Sequence, residues 1–168
     1  IAEHGMEIFS EAESRGLMVC YEAAVAGGIP IIKSLREGLS ANRVNWLAGI
    51  INGTTNFILS EMDTKGRNFN DVLIEAQEKG YAEADPTFDV EGIDASHKLA
   101  ILASIAFSTP LSLKGLFTEG ITTLQPQDVA YARELGYAIK HLGIARQTEN
   151  GVELRVHPTL VPQRSLIA

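Results

Sequence analysis

The chain is poorest in cysteine and tryptophan, with one of each among 168 residues, and it is short of basic charge. A single thiol, Cys20, forms no intrachain disulfide, so no covalent staple holds the fold. Its neighbours Leu17, Met18, Val19 and Tyr21 point to a buried, packing thiol. No stretch approaches the ~18 uninterrupted apolar residues that a membrane span needs. That excludes membrane-spanning and secretory-signal readings, and a cytoplasmic protein is expected. Fourteen Lys+Arg against 21 Asp+Glu leave a net charge of −7, the wrong sign for a nucleic-acid module. His4, His97, His141 and His157 share no metal-ligand spacing, and no serine or cysteine sits in a nucleophile elbow.

What is present suffices for a core. Apolar residues make up 45% and charged residues 21%, a balance typical of a folded domain. One domain over residues 1–168 is expected. A chain of this mass leaves about 8,100 Å² accessible and buries about 69% of its unfolded surface. The start at Ile1 and the abrupt close at Ala168 are those expected of a piece of a longer protein.

Periodicity predicts a helix over residues 3–15 stopped by Gly16, then a strand over 17–24. Gly27-Gly28-Ile29-Pro30 turns the chain into a short helix that ends at Gly38, without the GxGxxG spacing of a dinucleotide fingerprint. Residues 43–51 form an apolar strand that closes on Asn52-Gly53. Thr54, Thr55 and Asn56 are placed to cap a helix whose apolar face carries Phe57, Ile58 and Met62. In the next helix Asn70 is the expected cap, Phe69 and Ile74 form a hydrophobic staple, and Gly80 is the stop. Residues 81–93 are acidic, contain Pro86 and read as a loop held from outside. The following helix sets Ala95, Leu99, Leu102 and Ile105 on one stripe, with Asp94, His97 and Lys98 off it. Val129, Ala132 and Leu135 mark another helix before Gly136. In the tail Val152, Leu154 and Val156 alternate with Glu153, Arg155 and His157, and Asn150-Gly151 signals a type I′ hairpin. The fold class is α/β, α+β-like: a mixed sheet of about four strands covered by helices, with a C-terminal antiparallel hairpin.

The acidic loop carries the densest chemistry. Asp94 and Lys98, four residues apart, share a helix face with Cβ atoms about 5–6 Å apart. Taken alone, that pair is an ordinary surface salt bridge, and Glu83, Asp85, Asp89 and Glu91 are equally ordinary as solvated loop acids. Together they suit a small substrate bearing an amino group. Carboxylates can hold its ammonium while Lys98 donates to an oxygen or exchanges a proton. His97 lies about 100° around the helix from Lys98 and reads as structural.

Four ordered blocks then resemble one family. They are Glu22-Ala23-Ala24-Val25-Ala26-Gly27-Gly28-Ile29-Pro30-Ile31-Ile32, Leu35-Arg36-Glu37-Gly38-Leu39, Gly49-Ile50-Ile51-Asn52-Gly53-Thr54-Thr55-Asn56-Phe57-Ile58-Leu59, and the signature AxxxGYAEADPxxDVxGxDxxxK from Ala76 to Lys98. The chain resembles the catalytic, dimer-forming domain of the homoserine dehydrogenases. These interconvert L-homoserine and L-aspartate 4-semialdehyde with NAD or NADP on the route to threonine, methionine and isoleucine.

The resemblance implies that Lys98 is the acid/base residue, that Glu83 and Asp94 are active-site carboxylates, and that Asp89 binds substrate. It also assigns Gly53 and Thr54 to substrate or cofactor binding, although Thr54 reads equally as an N-cap. Glu22, Val25, Gly27 and Ile29 would hold a sodium ion, mainly through backbone carbonyls. A homodimer is implied. The family's nucleotide-binding domain is expected to lie outside these 168 residues, so the isolated piece should bind cofactor poorly and turn over negligibly. Two other readings stand beside this one: a non-enzymatic association module, with residues 44–51 in the contact, and a divalent-metal enzyme using the acidic loop and the Gly/Thr turn.

Overall fold

The hairpin expected at the end of the chain forms the middle of the sheet in the computed structural model, which describes residues 1–168. Strands β3 (Tyr137–Thr148) and β4 (Gly151–Pro162) pair antiparallel along their whole length, from Tyr137 opposite Pro162 to Thr148 opposite Gly151. β1 (Trp46–Gly49) adds antiparallel to β3, and the two-residue β2 (Phe117–Thr118) adds parallel to β4. The order is β1-β3-β4-β2, a mixed four-stranded sheet as the sequence implied.

Eight α-helical segments accompany it: α1 (Gly5–Ser14), α2 (Ala23–Ala26), α3 (Ile31–Lys33), α4 (Gly53–Lys65), α5 (Phe69–Glu78), α6 (Thr87–Val90), α7 (Ile93–Ala106) and α8 (Pro126–Glu134). α3 runs on into a π-helical turn, Ser34–Gly38. Ile58, Leu59 and Met62 of α4 pack with Val72 of α5, Val129 and Ala132 of α8 and Ile139 of β3. Ala95, Leu99 and Ala103 of α7 pack on Ala145 and Val156 of the sheet. On its other side α7 meets Val25 and Ile32 through Ile101 and Leu102. α7 is thus buried nearly all round, and its apolar surface is wider than the single stripe read from the sequence.

The opposite face of the sheet carries no helix in these clusters. Because strand side chains alternate, Trp46 points away from the core that holds Leu47, and Phe117 points away from Thr118, whose hydroxyl reaches Ser96 of α7. Trp46 is 64% and Phe117 53% exposed.

Several local expectations are corrected. Residues 17–24 form no strand: an irregular segment leads into α2, and Cys20 is exposed because no sheet neighbour covers it. The strand over 43–51 shortens to β1. α4 is capped ahead of Thr54, Thr55 and Asn56, by Asn52, whose Oδ1 accepts the Thr55 N–H at 2.8 Å. α5 is capped by Asn68 rather than Asn70, which puts Phe69 inside the helix and leaves Ile74 55% exposed, so no staple forms. The 81–93 loop contains the helical turn α6. The hairpin loop is Glu149-Asn150, and neither residue has the positive φ of a type I′ turn; Gly151 instead takes φ +129°.

Candidate active site

Two helix starts converge on the acidic loop. α4 begins beside Asn52 and α7 begins at Gly92, with α6 packed just before it. Asn52 joins them. While its Oδ1 caps α4, its Nδ2 donates to Asp89 Oδ1 at 2.7 Å and to Asp94 Oδ2 at 2.9 Å, so two acids from separate helices share one amide. This buried side chain therefore uses its oxygen and both amide protons.

Lys98 completes the group. Its Nζ donates to Asp94 Oδ2 at 2.6 Å and to the Ile51 carbonyl at 3.3 Å. The Asp94 and Lys98 side chains are only 20% and 25% exposed, which separates them from an ordinary solvated pair. Asn52, Gly53, Thr54, Phe57, Tyr81, Asp89, Asp94 and Lys98 line an open pocket of about 450 Å³, ample for a small amino alcohol. A larger groove of about 910 Å³ beside α1 also carries charge, but its Lys33–Glu37 pair is 3.8 Å apart and solvated, with side chains 67% and 69% exposed.

Five of the residues singled out in the sequence thus meet: Lys98, Asp94, Asp89, Thr54 and Gly53. Glu83 does not join them. Gln77 Nε2 holds the Glu83 carbonyl at 3.0 Å, and the Glu83 side chain is exposed without a hydrogen-bond partner. The Thr54 hydroxyl is already engaged, donating to the Tyr81 carbonyl at 2.8 Å. That bond fixes Tyr81 beside Phe57, with ring centroids 5.2 Å apart in an edge contact. What Gly53 and Thr54 leave open at the α4 start is their N–H groups, which have no protein acceptor, and the space above Gly53, where a Cβ would touch nothing within 4 Å.

The segment from Glu22 to Ile29 lies apart from the pocket. The Glu22 carboxylate accepts the N–H groups of Ile32 at 2.7 Å and Lys33 at 2.9 Å, capping the start of α3. The Ile29 carbonyl accepts the Ile31 N–H at 2.8 Å, while those of Val25 and Gly27 receive no backbone donor. Oxygen-only donors of this kind suit a hard cation.

Sequence reading missed Asn52 and Tyr81. Asn52 reads as a turn residue before Gly53, yet asparagine ahead of Gly-Thr-Thr-Asn is also a strong N-cap signal. Its links to Asp89 and Asp94 are tertiary, spanning 37 and 42 residues, and no local spacing reveals them.

The chain is similar to known proteins along its whole length. Residues 30–168 match the homoserine dehydrogenase family. The chain is 70% identical over all 168 residues to a homoserine dehydrogenase of Pseudomonas aeruginosa and 61% identical to one of Neisseria gonorrhoeae, in each case covering 39% of the relative. A homoserine dehydrogenase crystal structure from Thiobacillus denitrificans superposes with a TM-score of 0.97 at 68% identity, over 99% of this chain and 38% of that one. The chain therefore spans about two-fifths of the length of these relatives. Fold and sequence converge: the chain belongs to the homoserine dehydrogenase family.

Proposed function

We propose that this chain is the substrate-binding, catalytic and dimer-forming part of an NAD(P)-dependent homoserine dehydrogenase that interconverts L-homoserine and L-aspartate 4-semialdehyde. The observation that carries the reading is the half-buried Lys98–Asp94–Asn52–Asp89 chain around a small-molecule pocket.

Alcohol oxidation removes a proton from oxygen and a hydride from the adjoining carbon. When bound, the nicotinamide supplies the hydride acceptor, or the donor in the reverse direction. The rest falls to this chain. Asp89 offers a carboxylate to the substrate ammonium in a partly desolvated cleft, and Glu83 remains a candidate second partner from the loop. Lys98 exchanges the proton at the substrate oxygen, and Asp94 with the Ile51 carbonyl aims its Nζ. The free N–H groups of Gly53 and Thr54 border the pocket where the cofactor would meet substrate. Val25 and Gly27, with Glu22 and Ile29, are the proposed sodium-binding segment. The exposed sheet face around Trp46 and Phe117 is the proposed contact of the homodimer.

The test compares the full-length protein carrying this chain with its Lys98→Ala variant. Folding and cofactor binding persist, while homoserine turnover falls about 10²-fold or more. Equal turnover removes Lys98 from the acid/base role. The 168 residues alone are expected to give no stoichiometric NADPH binding by fluorescence titration.

A further inference from the structure

Behind the pocket lies a polar layer that the chemistry above does not use. His141 of β3 is 3% exposed, and its Nε2 sits 2.9 Å from the Glu119 carbonyl. A carbonyl only accepts, so Nε2 carries the proton; Nδ1 is buried with no partner. Burial also pushes the imidazole below its ordinary pKa, in keeping with a neutral ring.

The same ring is the wall against which Gly92 rests. Gly92 has φ +80°, and a Cβ there would lie 3.1 Å from His141 Cε1, 3.2 Å from its Nε2 and 3.2 Å from Thr118 Cγ2. Gly92 is the joint between α6, which carries Asp89, and α7, which carries Asp94 and Lys98.

Residues 118–122 fasten that joint at several points. Ile121 N–H donates to the Val90 carbonyl at 2.8 Å, and Thr122 Oγ1 donates to Glu91 Oε1 at 2.9 Å. Ser96 Oγ donates to the Gly92 carbonyl at 2.8 Å, so Thr118 Oγ1 is the donor in its 2.7 Å contact with Ser96. At Gly120 a methyl would fall 2.5 Å from the Val90 carbonyl, which shows how closely the two segments approach. His141 ties this strap to the central strand through Glu119.

From this contact we propose that His141 is a positioning residue for catalysis: its Nε2–H···O=C bond to Glu119 braces the Gly92 joint and thereby sets the spacing between Asp89, which receives the substrate ammonium, and Asp94, which aims Lys98. His141 lines none of the pocket, so it acts on substrate only through the joint. The proposal rests on the homoserine dehydrogenase reading.

The test uses the full-length enzyme with His141→Leu, which removes the donor, and His141→Gln, which keeps an N–H near Nε2. A variant in the separate cluster beside α1, Leu111→Ala, controls for lost stability. His141→Leu is expected to raise KM for homoserine about tenfold with kcat changed less than threefold. His141→Gln recovers most of that KM, and Leu111→Ala lowers Tm without moving it. An unchanged KM in His141→Leu, or a Gln variant no better than Leu, overturns the proposal. If His141→Leu does not fold, Thr118→Val takes its place on the same strap; a rise in KM supports the brace and an unchanged KM overturns it. A wild-type enzyme that does not oxidise homoserine sinks the dehydrogenase reading and the brace with it. An active wild type insensitive to these variants sinks the brace alone.

Discussion

Asn52 does three things at once: it caps α4, holds Asp89 and holds Asp94. Removing its side chain leaves the α4 start uncapped, a loss of about 0.5–2 kcal/mol. It also frees two acids that repel each other once the shared donor is gone. Asn52→Ala is therefore expected to lower Tm and, in the full-length enzyme, to raise KM for homoserine more than it lowers kcat. Thermal denaturation alongside steady-state kinetics checks both, and a variant with unaltered KM removes Asn52 from substrate positioning. At this scale the sequence was half legible. Asp94 and Lys98 stood out because one helical turn separates them, and the structure pairs them at 2.6 Å. Asn52 and His141 were opaque because their partners lie on other elements, far along the chain.

Elements show the same division for a different reason. α7 and the β3–β4 hairpin were readable because burial repeats along them with a fixed period. Residues 17–24 were misread because Leu-Met-Val-Cys-Tyr resembles a buried strand, while no sheet edge is there to receive it. The junction of α4 and α5 carries a polar device that periodicity also misses. Arg67 bridges Glu61 and Glu75, Lys79 reaches the other oxygen of Glu75, and these two bases pull the Glu75 carboxyl down to about 2. A carboxyl lowered on folding adds stability above its ordinary value of 4.5 and loses it as pH falls toward 2. Glu75→Gln should therefore be less stable than wild type at neutral pH, with the gap closing in acid. Urea denaturation across pH 2–7 measures it, and a gap independent of pH would assign Glu75 no electrostatic part.

The whole molecule exposes more than its mass predicts: 10,077 Å² of accessible surface against about 8,100 Å² from the usual scaling. The excess has identifiable sources. One sheet face presents Trp46 and Phe117 to solvent, and beside α1 a groove is lined by Leu17 and Met18, 64% and 87% exposed. Apolar surface of this extent invites burial by another layer of protein. The proposed dimer makes the sheet face the first place to look. Trp46→Glu is expected to shift the full-length protein from dimer to monomer in sedimentation velocity while far-UV circular dichroism stays unchanged; an unaltered mass would exclude this face as the contact. No helix is long and apolar enough to cross a membrane.

The floor beneath the cleft carries one more constraint. At Gly143 a methyl would fall 2.7 Å from Ile51 Cδ1 and 3.4 Å from Leu99 Cδ1. These two side chains flank the amine: Ile51 lends its carbonyl to Lys98, and Leu99 is the next residue along the helix. A single hydrogen atom on the central strand thus sets how deeply the helix beds down, and the height of the proposed proton-carrying nitrogen in the cleft is inherited from a side chain that is not there.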